Sequence, residues 1–198
     1  MAELAKEIVQ NLMEMAGEAR GAVFKTDQDF ILKKGGEEGL RKVEEELRKL
    51  GHPIKYKEIE NSAFYPVGLR VLSLLVISKV FNLSEREIKE MGKIASQVSL
   101  IIKLFMQYFL SLRKTFEQVS KIWRKHYTIG DLVPVELNEE KKFVILRLNN
   151  FNLHPLLCQY LSGYFLKVAE MIVKSPVQCQ ETKCFFRGDN YHQFLVKW

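Results

Sequence analysis

Four side chains in the C-terminal part of the chain have the types and the spacing of a metal site. Cys158 lies in one segment, and Glu181, Cys184 and His192 follow in the stretch CQETKCFFRGDNYHQFLVKW. Zinc binds thiolate, imidazole and carboxylate donors in a tetrahedral arrangement. Four protein ligands leave no open coordination position, so this pattern predicts a structural zinc ion rather than a catalytic one.

The spacing of Glu181 and Cys184 restricts the conformation of the backbone between them. Glu181 and Cys184 are three residues apart, and on an unbroken strand they would face opposite sides of the sheet. A shared site therefore requires a bulge or a turn between them. Cys179 is the alternative to Glu181, because Cys158, Cys179, Cys184 and His192 would also form a chemically sound site. Without a metal, the cysteines would simply be small buried hydrophobic residues.

The same stretch resembles the 4-vinyl reductase domain family. That family has a Cys, then Glu-x-x-Cys, a Gly and a final Cys, and Cys158, Glu181 and Cys184 fall on the first three ligand positions. His192 stands where the family has its last Cys. The family includes sensor domains of phenol- and xylene-responsive bacterial activators, and its fold is similar to that of TRAPP-complex subunits. The resemblance implies an α+β fold, a structural zinc ion and an apolar ligand cavity. It places Glu181, and not Cys179, at a ligand position.

Aromatic residues at helical spacing are candidates for the wall of such a cavity. From the residues alone, an aromatic stripe is more often plain core than a binding site, and the resemblance raises the case for a cavity. His126 and Trp123 are possible polar contacts. The candidates for the ligand pocket are Phe105, Phe109, Trp123, Tyr160 and Tyr164, with Tyr108, Phe116 and Phe165 as further members.

Composition indicates an ordinary globular protein. The chain has 198 residues, 47% of them hydrophobic and 27% charged, with a formal net charge of +6. Its basic residues alternate with acidic ones and form no nucleic-acid reader motif, so nucleic-acid binding is not expected. Three cysteines and a charged N-terminal segment indicate the cytoplasm. The apolar runs 71–80 and 98–112 are shorter than a membrane span.

The periodicity changes along the chain from helical to alternating. Helices are expected over residues 3–19, 37–50, 67–81, 84–91, 96–112, 115–127 and 155–174, with a short strand near residue 54, a hairpin after residue 130, and strands at 177–186 and 191–197. Helices first and antiparallel strands later predict an α+β fold. Residues 1–128 are expected to form a helical region, and residues 129–198 the zinc-binding αβ region of the same unit.

The resemblance and the lack of catalytic motifs together favour a cytoplasmic small-molecule sensor that is not an enzyme. No Gly-x-Ser-x-Gly, His-Glu-x-x-His or phosphate-binding loop occurs. Such a sensor would bind an apolar or aromatic molecule and signal through a homodimer or a separate protein partner. The alternative is a non-catalytic structural adaptor similar to TRAPP subunits.

Overall fold

The structure is a computed structural model that describes residues 6–99, 102, 111–173 and 175–198. The helices that it describes are α1 (Lys6–Met13), α2 (Gly21–Lys49), α3 (Val67–Val80), α4 (Glu85–Val98), α5 (Leu112–Arg124) and α6 (Leu156–Val173). The strands are β1 (Glu18–Arg20), β2 (Phe64–Pro66), β3 (Asp131–Asn138), β4 (Phe143–Asn149), β5 (Gln178–Lys183) and β6 (His192–Lys197).

Two antiparallel sheets accompany these helices. One pairs β1 with β2, and the other has the strand order β3-β4-β6-β5. Strand β4 alternates between buried and half-buried residues, as expected for a sheet with one face on the core. The predicted α+β class and the predicted hairpin of β3 and β4 are therefore confirmed.

Local sequence signals account for several helix boundaries. Ser84 and Glu87 form the predicted capping box at the start of α4, in which each side chain satisfies the other residue's backbone N–H. Pro66 immediately precedes α3, which is apolar and largely buried, as predicted. Helix α4, however, continues to Val98, beyond the predicted end at Met91.

Three local predictions were wrong. The predicted helix over residues 3–19 ends at Met13, and Glu18–Arg20 is strand β1. Helix α2 begins at Gly21, well before the predicted start at Glu37, and the glycine pair marks only a kink at Gly36, where φ is +61°. The segment around Tyr56 is a short 3₁₀ helix over Tyr56–Glu58 rather than a strand. Most of the predicted helix 96–112 lies outside the described residues.

Helices α4 and α6 cross backbone against backbone. A Cβ atom added at Gly163 would lie 1.9 Å from the carbonyl oxygen of Lys89, and one added at Gly92 would lie 1.9 Å from that of Tyr160. Only glycine permits such an approach. Helix α6 is long and apolar enough to span a membrane by length and composition, yet half of it is buried within the chain. It is a central packing element that fixes the positions of Cys158, Tyr160 and Tyr164.

A charged pair lies in the core between α2 and α3. Arg70 donates from Nη1 to Asp27 Oδ2, and both side chains are 0% exposed. Ser73 Oγ donates to the same carboxylate oxygen at 3.3 Å and shares a 2.7 Å hydrogen bond with the hydroxyl of Tyr56. Burial raises the pKa of Asp27 to about 7, and the charge of Arg70 opposes that rise.

Candidate functional site

The four predicted metal ligands meet in space. One donor atom from each of Cys158, Glu181, Cys184 and His192 lies within 4.8 Å of the donor atoms of the others. The Sγ atoms of Cys158 and Cys184 are 3.6 Å apart, and His192 Nδ1 is 3.9 Å from Cys158 Sγ and 2.9 Å from Glu181 Oε1. Tetrahedral bonds of roughly 2.0–2.3 Å imply donor separations of about 3.3–3.8 Å. The cluster therefore has approximately the size of a four-ligand site.

Backbone irregularities bring these side chains together. The register of β5 against β6 shifts between Glu181 and Lys183, which is the irregularity that a shared site requires. After the strand, a tight turn holds Cys184: its N–H donates to Asp189 Oδ2 at 2.8 Å, and its carbonyl accepts from the N–H groups of Arg187 and Asp189. Gly188, with φ of +96°, permits the turn.

Cys179 is not part of the cluster. It belongs to the hydrophobic core, two residues before Glu181 on β5, and burial raises the pKa of its thiol to about 12. Burial and the neighbouring Glu181 carboxylate also raise the pKa of Cys158. His192 is 4% exposed, and its Nε2 atom has no hydrogen-bond partner within the described part of the chain.

A second candidate site is a partly open apolar cavity of about 90 Å³ between α2, α4, α5, α6 and the sheet. Mostly apolar walls with a few polar groups are typical of small-molecule sites. Its described lining residues are Ala22, Val23, Thr26, Ala95, Ser99, Ile102, Leu112, Thr115, Phe116, Val119, Ile122, Trp123, His126, Tyr127, Leu132, Val144, Leu146, Tyr160, Leu161, Tyr164, Phe165, Val168, Ala169, Ile172 and Val196.

The structure places the predicted pocket residues Trp123, Tyr160 and Tyr164 on the wall of this cavity. Phe105 and Phe109 lie outside the described residues. Sequence reasoning missed the contribution of α2, because the stretch GAVFKTDQDFILKK was assigned no regular helix. Its helical spacing of Ala22, Val23 and Thr26 was the available signal.

His126 is the imidazole on the described cavity wall, and its hydrogen bonds define its tautomer. Nδ1 lies 2.9 Å from the carbonyl oxygen of Ile122, which can only accept, so Nδ1 carries the hydrogen. Nε2 therefore has a lone pair and lies 3.2 Å from the hydroxyl of Tyr164, which donates to it. Burial lowers the pKa of His126 to about 4, so the ring is neutral at pH 7.

Strand β1 fixes this part of the cavity wall. Arg20 N–H donates to the carbonyl of His126 at 2.8 Å, and Ala19 forms an isolated β-bridge with Tyr127. The indole N–H of Trp123 donates to the carbonyl oxygens of Ile129 and Gly130. The segment after α5 is thus held on both sides, and the side chains of His126 and Tyr127 are directed at the cavity.

Comparison with known proteins finds similarity at the level of structure. No family model and no curated protein matches the chain. An H-NOX protein from S. oneidensis, solved in an Fe(II)NO ligation state, has a TM-score of 0.68 at 13% identity over 90% of this chain and 98% of its own. An Fe(II) unliganded H-NOX protein from K. algicida has a TM-score of 0.61 at 13% identity over 90% and 95%. A third H-NOX structure, from a study of heme distortion, has a TM-score of 0.61 at 14% identity over 90% and 94%.

These neighbours correct two expectations. The solved structures that the chain resembles are H-NOX domains, so the resemblance to the 4-vinyl reductase family and to TRAPP subunits was wrong. It rested on a ligand pattern in the last third of the chain, and such a pattern can recur on unrelated folds. The zinc cofactor implied by that resemblance was also wrong, because the neighbours are described with heme iron.

The described lining of the cavity lacks groups that a bound heme needs. His126 has the Nδ1–H to carbonyl bond that orients many iron-binding imidazoles, but its Nε2 atom already accepts from Tyr164. A heme also carries two carboxylates, and the described lining contains neither Lys nor Arg to pair with them. The described residues therefore do not fit a heme. What the neighbours establish is the architecture: the chain has the α+β fold of the H-NOX domains.

Proposed function

We propose that this chain is a sensor-type binding domain that holds a small apolar molecule in the cavity between α2, α4, α5, α6 and the sheet. The observation that carries the proposal is the composition of the wall, in which most of the described side chains are aliphatic or aromatic. An empty apolar cavity costs stability in proportion to its volume, so a molecule that fills it stabilises the fold. One neighbour of the same fold was solved in an Fe(II)NO ligation state, and the sensor role is proposed by analogy with it.

Filling the cavity tests this function. We expect naphthalene to quench the fluorescence of Trp123, measured in a Trp198→Phe background, because Trp123 lines the cavity. Ala169→Phe places a ring in the cavity from α6 and should weaken naphthalene binding by tenfold or more, which corresponds to at least about 1.4 kcal/mol. Ser62→Phe adds the same ring at an exposed position and should leave binding unchanged.

Two results would refute the proposal. One is equal naphthalene binding by Ala169→Phe and Ser62→Phe, which would place the probe elsewhere. The other is a Soret band on reconstitution with hemin that is lost in Ala169→Phe, which would assign the cavity to heme.

We further infer that Cys158, Glu181, Cys184 and His192 hold a transition-metal ion with a structural role. Thiolate and imidazole donors favour such ions over Mg²⁺ or Ca²⁺. If Nδ1 of His192 is the ligand atom, Nε2 carries the hydrogen, and this buried N–H has no partner among the described residues. The ion would link the start of α6 to the last two strands.

Cys179 provides a matched control for the metal site. Elemental analysis for a panel of transition metals should find one equivalent in the unmodified protein and in Cys179→Ala, and only background in Cys184→Ala. Loss of the ion should also lower the melting temperature of Cys184→Ala more than that of Cys179→Ala, because bound metal adds to folding stability. Substoichiometric metal in protein purified without chelator, or equal loss in both variants, would contradict the inference.

The signalling partner, the cellular location and the lack of enzymatic activity remain predictions. A homodimer or a separate protein partner would be needed to transmit ligand binding. A cytoplasmic location is in keeping with three buried cysteines that form no disulfide. The chain is expected not to be an enzyme.

A further inference from the structure

The cavity wall carries a hydrogen-bonded pair formed by a histidine and a tyrosine. Tyr164 contacts His126 through a hydrogen bond, and the two rings meet edge to face at 6.0 Å. Tyr127 follows His126 in sequence, and Tyr160 lies one helical turn before Tyr164 on α6. A ligand in this cavity therefore meets mostly apolar contacts and can reach the His126–Tyr164 pair.

The hydrogen atoms of this pair can be counted. The Nδ1–H of His126 is used by the carbonyl of Ile122, so the pair formed by His126 Nε2 and the Tyr164 oxygen holds a single hydrogen, the phenolic one. Burial raises the pKa of Tyr164 and lowers that of His126, so neither group changes its protonation near pH 7. The pair consequently has more acceptor capacity than donor capacity.

We infer that the cavity selects apolar molecules that carry one hydrogen-bond donor, such as a hydroxyl group, over isosteric molecules that can only accept. The inference rests on the proposed function of the cavity. A hydroxyl can donate to the Tyr164 oxygen, or it can insert between the two groups by donating to His126 Nε2 and accepting from Tyr164. A ketone can only take the hydrogen of Tyr164, and Nε2 is then left as a buried acceptor without a partner. A site that hydrogen-bonds its ligand discriminates in this way against analogues that cannot complete the pairing.

Cyclooctanol and cyclooctanone form a matched pair of probes for this selectivity. Calorimetric titration of the unmodified protein should give an affinity for cyclooctanol that is about tenfold or more above that for cyclooctanone. His126→Phe removes the acceptor nitrogen and frees the Tyr164 hydroxyl to donate, so it should abolish or reverse the preference. Tyr164→Phe leaves Nε2 facing the cavity and should retain it.

Tyr65→Phe is the control variant, because Tyr65 lies outside the described lining and its hydroxyl accepts from the N–H of Glu60. It should keep the preference for cyclooctanol. If Tyr65→Phe changes the ratio of affinities and His126→Phe does not, the assignment to the His126–Tyr164 pair is wrong. Equal affinities for the two probes in a protein that binds naphthalene would overturn the donor selectivity alone. Failure to bind naphthalene and both probes would overturn the proposed function as well.

Discussion

Replacing Arg70 by methionine is expected to lower the free energy of unfolding by about 3–5 kcal/mol, because it leaves the fully buried Asp27 carboxylate without its counterion. Asp27 Oδ1 already lacks a partner among the described residues, and only the long bond from Ser73 would remain. For a chain of this length each kcal/mol corresponds to about 2–4 °C in melting temperature, so the loss is readily measured by thermal or denaturant unfolding.

The pH dependence of this variant follows from Asp27. The pKa of Asp27 is already raised to about 7 with Arg70 in place, and it rises further without that charge. A carboxyl whose folded-state pKa exceeds its unfolded value contributes most to stability when it is protonated, and that contribution is lost as pH rises through the folded-state pKa. The penalty of Arg70→Met should therefore be smaller at pH 5 than at pH 8.

Two controls identify the cause of the loss. Asp27→Leu combined with Arg70→Met removes both charges and should recover most of the stability, since apolar replacement of a buried pair is often neutral. Lys42→Met breaks the exposed pair with Glu38, whose side chains are 64% and 66% exposed, and should cost less than about 1 kcal/mol. A penalty for Arg70→Met no larger than that for Lys42→Met would show that burial of the pair does not matter.

Adding a methyl group at the α4–α6 crossing is expected to be the second large perturbation. Gly163→Ala places Cβ 1.9 Å from the carbonyl oxygen of Lys89, and backbone cannot move aside as a flexible side chain can. The expected loss is about 3 kcal/mol, at the upper end for overpacking, even though alanine is favoured over glycine in a helix by about 1 kcal/mol. Chemical denaturation measures it.

Gly92→Ala should behave in the same way, because its Cβ would meet the carbonyl of Tyr160. The double variant should lose less stability than the two single variants added together, because helices that one methyl group has already pushed apart accommodate the second. Gln97→Ala, on an exposed position of α4, is the matched control and should change stability by no more than about 0.5 kcal/mol. A Gly163→Ala variant as stable as Gln97→Ala would contradict this description of the crossing.

Short-range patterns were sufficient for much of the secondary structure. The capping box at Ser84, the proline before α3 and the alternation in β3 and β4 each act within a few residues, and they predicted the corresponding elements and the α+β class. The residue types Cys158, Glu181, Cys184 and His192 likewise indicated metal chemistry before any coordinates. Helix α2 was missed because its glycine pair, a common helix end, here produces only a kink at Gly36.

Tertiary structure alone decided which residues meet. The four candidate ligands converge only because the bulge in β5, the turn at Gly188 and the crossing of α6 place segments far apart in sequence within 4.8 Å. The cavity wall combines α2, α4, α5, α6 and three strands, and no local pattern reports such long-range contacts. The family resemblance failed for the same physical reason: donor spacing reflects local coordination chemistry, whereas the H-NOX fold is set by the packing of the whole chain.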